Sequence, residues 1–139
     1  MTVATGSIEL NTRGEVEIID VTSEVKRVVS DSGIRDGIVC VFTKSSTSTV
    51  TTIEYEPGLL RDLPAALERL FPKDLEYGHE QMWHDGNGHS HVRASFLKPS
   101  LTLPLIGGDL VLGTWQQIVF VELDNKRRNR KLIVQTVGE

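Results

Sequence analysis

The stretch that decides the fold is Ser100-Leu101-Thr102-Leu103-Pro104-Leu105-Ile106-Gly107-Gly108-Asp109-Leu110-Val111-Leu112-Gly113-Thr114-Trp115-Gln116-Gln117-Ile118-Val119-Phe120-Val121-Glu122-Leu123. Short runs of leucine and β-branched residues, broken by glycine, predict strands at Ser100–Leu105, Asp109–Leu112 and Gln116–Leu123. Gly107-Gly108 predicts the hairpin turn between the first two. Downstream, Asp124–Arg130 reads as a charged hairpin turn and Lys131–Val137 as another strand. Upstream, Ser7–Thr12, Glu15–Val21, Gly37–Thr43 and Thr47–Glu54 carry the same signature. In Glu15–Val21, Val16 and Ile18 share one face with Asp20, while Ile19 and Val21 share the other.

Two segments break this pattern with helical spacing. Thr22-Ser23-Glu24 offers a hydroxyl N-cap and an acid in the first turn. Val25, Val28 and Val29 follow as an apolar stripe, and Gly33 suits a C-cap. Leu59, Leu60, Leu63, Leu67 and Leu70 recur with the same period behind Pro57, which suits a first helical turn. Pro64 either kinks that helix or marks its true start, and Pro72 ends it. The pattern is α+β in a single domain spanning 1–139. It predicts a mainly antiparallel β-sandwich or barrel-like core with two or three helices on one side.

Composition narrows the function classes. The chain has 139 residues, 39% hydrophobic and 24% charged, which is the balance of a folded domain with a real core. A formal net charge of −4 leaves no global basic field for a phosphate backbone, so nucleic acid is not an expected partner. No apolar run approaches the roughly 20 residues of a membrane span, and no signal peptide is visible, so no membrane partner is expected. The single cysteine, Cys40, lies in the apolar run Ile38–Phe42 and reads as a buried small side chain. One thiol builds no disulfide framework, which points to the cytoplasm.

The chemistry gathers in His79–Ser95. All four histidines, His79, His84, His89 and His91, fall there. Read as a strand, His89–Lys98 turns His89, His91, Arg93 and Ser95 to one side and Ser90, Val92, Ala94 and Phe96 to the other. Two imidazoles separated by one residue on a strand stand roughly 7 Å apart at Cα and can converge on one ion. With His79 as third ligand, the set suits a divalent metal such as Zn²⁺ with an open position. Asp85-Gly86-Asn87-Gly88 reads equally well as a turn or as the mouth of the site, with Asp85 as base or orienter. Ser45-Ser46-Thr47-Ser48-Thr49 reads as a solvated loop or as an anion-binding hydroxyl run. Glu54 and Glu56 would share one strand face. Trp115 is a core residue or a stacking platform, and Gln116 a polar anchor. Lys126–Lys131, with five positive charges, reads as a solvated turn.

Three separated blocks carry a resemblance. Asp85-Gly86-Asn87-Gly88-His89-Ser90-His91-Val92-Arg93-Ala94-Ser95, Leu112-Gly113-Thr114-Trp115-Gln116, and Glu122-Leu123-Asp124 with its arginine-rich turn resemble the signature of the YjbQ-type family, also called secondary thiamine-phosphate synthases. Thr51–Gly58 resembles an archaeal-looking branch. The resemblance implies a homotrimer with sites near subunit contacts. It implies His79, His89 and His91 as metal or catalytic histidines, with Asp85 lining the same pocket and Glu54 and Arg93 close by, where these three would take the catalytic roles. Asn87, Ser95, Trp115, Gln116 and Thr47 would bind substrate. The implied activity joins a pyrimidine pyrophosphate to a thiazole phosphate. Ser45 stands where many members of the family carry histidine.

The expected function is therefore that of an enzyme on a small phosphorylated metabolite, with a divalent ion at the histidines. Mg²⁺ prefers oxygen ligands and would arrive with a phosphorylated substrate. A metal-dependent hydrolase and a non-catalytic metal- or metabolite-binding protein are the alternatives, because all three use the same residue types.

Overall fold

Alternation of small and β-branched side chains carries β1 (Thr2–Asn11) along the edge of a sheet, paired antiparallel with β8 (Asn129–Gly138) over its whole length. In this computed structural model, which describes residues 1–139, β8 also pairs with β3 (Gly37–Thr43). β3 pairs in turn with β5 (Ser100–Ile106), and β5 with the two-residue β6 (Asp109–Leu110). A second sheet runs β2–β7–β4, formed by Glu17–Asp20, Gln117–Glu122 and Ser48–Ile53. All pairings are antiparallel. The helices are α1 (Thr22–Ser32), α2 (Pro57–Leu70), α3 (Gly78–Trp83) and α4 (Gly88–Leu97). No helix is long and apolar enough to cross a membrane.

The central strand β7 explains why two cores form. Ile118 and Phe120 point into one core, with Val50 of β4, Val39, Val41, Leu103, Leu105, Leu132 and Val134 of the larger sheet, and Val25 and Val29 of α1. Val119 and Val121, with Leu123, point into the other, against Leu67 of α2 and Ala94 of α4. The strand is apolar on both faces because both are covered. Burial of these side chains supplies the main driving force, at about 25 cal/mol per Å² of apolar surface removed from water. β2 divides its side chains as alternation predicts. Ile19 packs on the first core and Ile18 on the second, where Val16, just before the strand, joins it.

The α+β reading with an antiparallel core holds, and most elements lie where periodicity puts them. Gly33 ends α1 in the left-handed conformation, at φ 73°. The Thr22 hydroxyl does not cap α1, because it donates to Asp20 Oδ1 at 2.6 Å and accepts from the Ile118 amide. α2 runs unbroken through Pro64, with Glu56 as its cap, accepting from the Leu59 and Gly58 amides at 2.5 and 2.7 Å. Cys40 is half-buried rather than buried, since β3 turns it away from the core residues Val39 and Val41.

Two readings are overturned. His89–Lys98 is not a strand but α4 and its C-cap. The buried face of α4 uses Ser90, Arg93 and Ala94, so its helical period is not written in large apolar residues and an alternating pattern took its place. Asp124–Arg130 does not close a hairpin. β7 and β8 belong to different sheets, and this segment carries the chain from one to the other.

Lys98, the residue after α4, has φ 78° and ψ 153°, a region that only glycine occupies without strain. Lys98→Gly is expected to stabilise the fold by about 1 kcal/mol, raising Tm by roughly 2–4 °C. Differential scanning calorimetry checks this, and a lowered Tm would show that the Lys98 side chain contributes more than its backbone costs.

Candidate functional site

The site begins with two acids that alternation drives inward at the end of β7. Glu122 and Asp124 are fully buried. A buried carboxylate is costly unless paired and hydrogen-bonded. Arg130 supplies the pairing for Glu122 with two parallel bonds, Nε to Oε1 at 2.8 Å and Nη2 to Oε2 at 2.6 Å. The Thr12 hydroxyl adds a third at 2.7 Å. Arg128 does the same for Asp124, with Nε at 2.7 Å and Nη2 at 2.6 Å from Oδ2. Asn87 Nδ2 and the Asn125 amide donate to Asp124 Oδ1 at 3.2 and 2.8 Å. Burial pushes the Asp124 pKa up, but the donors from Asn87, Arg128 and Asn125 outweigh it and hold the group below its ordinary 3.8.

This charged floor organises a hydroxyl loop. Arg130 Nη1 donates to Ser45 Oγ at 2.7 Å and Nη2 to Thr47 Oγ1 at 2.9 Å, while Thr47 Oγ1 lies 3.3 Å from Asp124 Oδ2. The loop stays in place because Ser48 pairs with Glu122 across β4 and β7. Lys44, Ser45, Ser46 and Thr47 form one side of an open cleft of about 450 Å³; Arg128, Arg130, Asn87, His79, Trp83, Asp85 and His91 complete it. Lys44 forms no ion pair, and Arg128 keeps Nη1 unpaired.

The other side comes from α3 and the start of α4. His79 and His91 lie with ring centroids 4.4 Å apart. His79 Nε2 is 3.0 Å from Asp85 Oδ1 without hydrogen-bond geometry, so it is a buried ring nitrogen with no hydrogen-bond partner. Ligand atoms of His79, Glu80 and Asp85 all lie within 4.8 Å of one another. Glu80 is partly committed, since its Oε1 accepts from the Gly88 amide at 2.7 Å at the start of α4. Burial, and then the neighbouring His79, hold the His91 pKa below the usual histidine value, against the pull of Asp85, Asp124 and Glu80. His91 is therefore neutral at pH 7 with a lone pair to offer. Asn87 Oδ1 is a second buried acceptor without a partner on the same cleft. Nitrogen and carboxylate donors with an unsatisfied imidazole fit a divalent ion of the zinc type.

The residues singled out from sequence divide sharply. Thr47, His79, Asp85, Asn87 and His91 meet in the cleft. His89 does not. On a helix, positions two apart face opposite ways. The His89 side chain is buried, and its Nε2 donates to Glu15 Oε2 at 2.6 Å, which also binds Lys73 through Oε1 at 3.0 Å. Arg93 turns inward to the C-terminal end of α2, donating to the Phe71 carbonyl and to Glu68 Oε2 at 2.8 Å. Ser95 returns its hydroxyl to the His91 carbonyl at 2.9 Å. Glu54 is exposed beyond β4. Trp115 is exposed, and Gln116 accepts from the Gly113 amide at 2.8 Å, both on the β6–β7 connection and away from the cleft within one chain. His84 caps α3 in the left-handed conformation. Sequence reasoning passed over Lys44 and Trp83, weighed Ser45 and Ser46 as a solvated loop against an anion-binding run, and read Arg128 and Arg130 as part of a solvated turn; Asp124 entered only through the family signature. Glu122 and Asp124, two apart at the inner end of an apolar strand and followed by arginines, were the available signal.

The family profile described as "UPF0047 protein YjbQ-like" matches residues 6–139. A UPF0047 protein of Methanothermobacter thermautotrophicus is 45% identical over 139 residues, covering 100% of this chain and 95% of the relative. One from Archaeoglobus fulgidus is 39% identical over 126 residues, 91% of this chain and 96% of the relative. Among solved structures, a YbjQ-like protein of unknown function from Sulfolobus solfataricus P2 superposes with a TM-score of 0.89 at 31% identity, over 99% of this chain and 100% of that one. A hypothetical protein from Aeropyrum pernix K1 gives 0.91 at 32%, over 98% and 99%.

The ion-pair floor makes two predictions. Arg130→Ala strands the buried Glu122 carboxylate and is expected to cost about 3–5 kcal/mol, whereas Arg127→Ala, which has no partner, changes stability by less than about 0.5 kcal/mol. Urea unfolding of both variants checks this, and equal losses would refute the contrast. Asp124, held below its unfolded pKa, contributes stability that is complete above the ordinary 3.8 and lost as pH falls through the folded value. The stability gap between wild type and Asp124→Asn should therefore narrow from pH 7 to pH 3. A gap of constant size would show that Asp124 acts by shape alone.

Proposed function

This chain belongs to the YjbQ-like UPF0047 family, and from that premise we propose that it is an enzyme acting on a small phosphorylated metabolite in the His79–His91 cleft. The observation that carries the reading is the sharing of one cleft by two kinds of group. Lys44, Arg128 and the Ser45–Thr47 hydroxyls suit a phosphate, and His79, His91 and Asp85 suit a divalent ion. When bound, the ion supplies positive charge to neutralise phosphate oxygens.

The finer reading is the coupling that the family resemblance implies. A ring nitrogen of the thiazole phosphate forms a C–N bond to the methylene carbon of the pyrimidine pyrophosphate. The C–O bond to pyrophosphate breaks, and pyrophosphate leaves with the electron pair. Charge builds on the leaving group, so the protein's task is to hold that charge rather than to provide a nucleophile. Lys44 Nζ and Arg128 Nη1 are the free cationic donors for it. Arg130, locked between Glu122 and the hydroxyl loop, positions Ser45 and Thr47. Asp85 stands beside the His79 ring nitrogen as a further ligand for the ion, and Trp83 at the rim offers a stacking face to a heterocycle. Ser45 gives this chain a hydroxyl donor at a position where a histidine would be a base.

The homotrimer belongs to the same reading. What supports it is an exposed apolar row across four strands of the larger sheet, with Val3 opposite Val137, Val137 opposite Ile38, and Ile38 opposite Pro104. Exposed apolar sheet surface of this kind marks an association face. The single thiol supports a reducing compartment such as the cytoplasm.

Purified protein is expected to carry close to one Zn, Ni or Mn per chain by elemental analysis, lost in His79→Ala/His91→Ala and kept in His89→Ala. With a pyrimidine pyrophosphate, a thiazole phosphate and Mg²⁺ it should release thiamine phosphate, and Lys44→Ala should slow that release at least tenfold. Orthophosphate release without coupling would replace the synthase with a hydrolase. Stoichiometric capture of substrate with no product under any ion would sink the enzyme reading. Ile38→Lys should convert the trimer to monomer in sedimentation equilibrium, and a wild-type monomer would end that proposal.

A further inference from the structure

The arginine-rich segment serves two clefts rather than one. Arg128 lies between the histidine cleft and a second recess of about 550 Å³, lined by Asn11, Thr12, Arg13, Arg127, Arg128 and Asn129. Thr12 builds this recess. Its amide donates to the Arg128 carbonyl at 2.8 Å, and its hydroxyl accepts from the Arg128 amide at 3.1 Å, clipping the end of β1 to the crossing segment. Asn11 and Asn129 stand opposite each other where β1 and β8 end.

No carboxylate and no apolar side chain lines the recess. In a chain with 19 acids and 15 basic residues, that is a local reversal of the overall charge. The donor inventory is unusually free. Arg127 has no ion pair or hydrogen bond from its side chain. Arg13 binds Glu17 through Nε at 2.7 Å, leaving its terminal nitrogens. Arg128 spends Nε and Nη2 on Asp124, leaving Nη1. The Asn11 and Asn129 side chains make no hydrogen bonds within the chain. Arg128 is also pre-oriented, because its partner Asp124 is fully buried. Guanidinium groups with free, planar N–H donors match phosphate oxygens better than any other side chain does.

We propose that the recess formed by Arg13, Arg127 and Arg128 is a second phosphate-binding site, separate from the histidine cleft and sharing Arg128 with it. Its ligand is a phosphate group on a small molecule. The shared guanidinium places the two anions on either side of one cation, so that occupancy of one site weakens the other by competing for the same charge. The inference stands on the recess alone and survives if the histidine cleft has another chemistry.

The test is a ¹⁵N NMR titration of the full chain with inorganic pyrophosphate, beside sodium chloride of equal ionic strength. Saturable shifts are expected in two groups of amides, Asn11–Arg13 with Arg127–Asn129, and Ser45–Thr47. In Arg13→Ser/Arg127→Ser, the first group should bind at least tenfold more weakly, while the second keeps its affinity or gains. Lys44→Ala should do the reverse. Shifts at the recess that never saturate, or that chloride reproduces, would overturn the proposal, and so would unchanged recess affinity in the double variant. Loss of binding at Ser45–Thr47 alone would count against the histidine cleft and leave the recess standing.

Discussion

Two carboxylates with no access to water, Glu122 and Asp124, set the terms for one end of this molecule. Each would be prohibitively costly in an apolar interior without a cation in close and well-aligned contact. The cations arrive from the chain immediately downstream, Arg128 four residues after Asp124 and Arg130 eight after Glu122. That demand fixes the path of the segment between β7 and β8, which must pass over the strand end it has just left before joining the other sheet. The crossing brings Thr12 and the end of β1 into the same network. A stability-neutral hydrophobic core would hold the sheets together but would not specify this route.

The cleft is a by-product of that constraint. Once Arg130 is anchored, it has donors left for Ser45 and Thr47, and the β3–β4 loop closes on it. Once Asp124 is anchored, it takes the Asn87 side chain, which would otherwise be available to cap α4. Asn87 thereby gives up helix-cap duty and faces the cleft, while Glu80 accepts from the Gly88 amide at the start of α4. α3, which buries none of its residues, hangs His79 and Trp83 over this framework. Rigid charge beneath and a lightly packed helix above is an arrangement suited to admitting a polar ligand.

Histidine spacing shows where reading from sequence misleads. His89-Ser90-His91 carries no information about whether its imidazoles converge until the backbone is known. On a strand they would share a face. On α4 they diverge, so that His91 meets His79 while His89 bonds Glu15, far along the chain. Arg93 shows the same effect, since the helix turns it inward to close the C-terminal end of α2. Long apolar strands carried no such ambiguity. The continuous apolar run in Gln117–Glu122 and the glycine pair after β5 are local signals, and the structure repeats them.

The sequence by itself determined the α+β class, the strands of both sheets, α1 and α2 with the Gly33 cap and Pro57 start, and the concentration of ligand-type residues between His79 and His91. These follow from periodicity and turn chemistry, which act over a few residues. Tertiary structure alone decided that α4 is a helix, because its buried face is built from Ser90, Arg93 and Ala94 and becomes legible only against β4. It alone decided that Arg128 and Arg130 are anchored rather than solvated, because their partners become buried only when β7 is enclosed by two cores. It also decided which histidines meet, because that depends on a rotation of about 100° per residue about a helix axis rather than on distance along the chain.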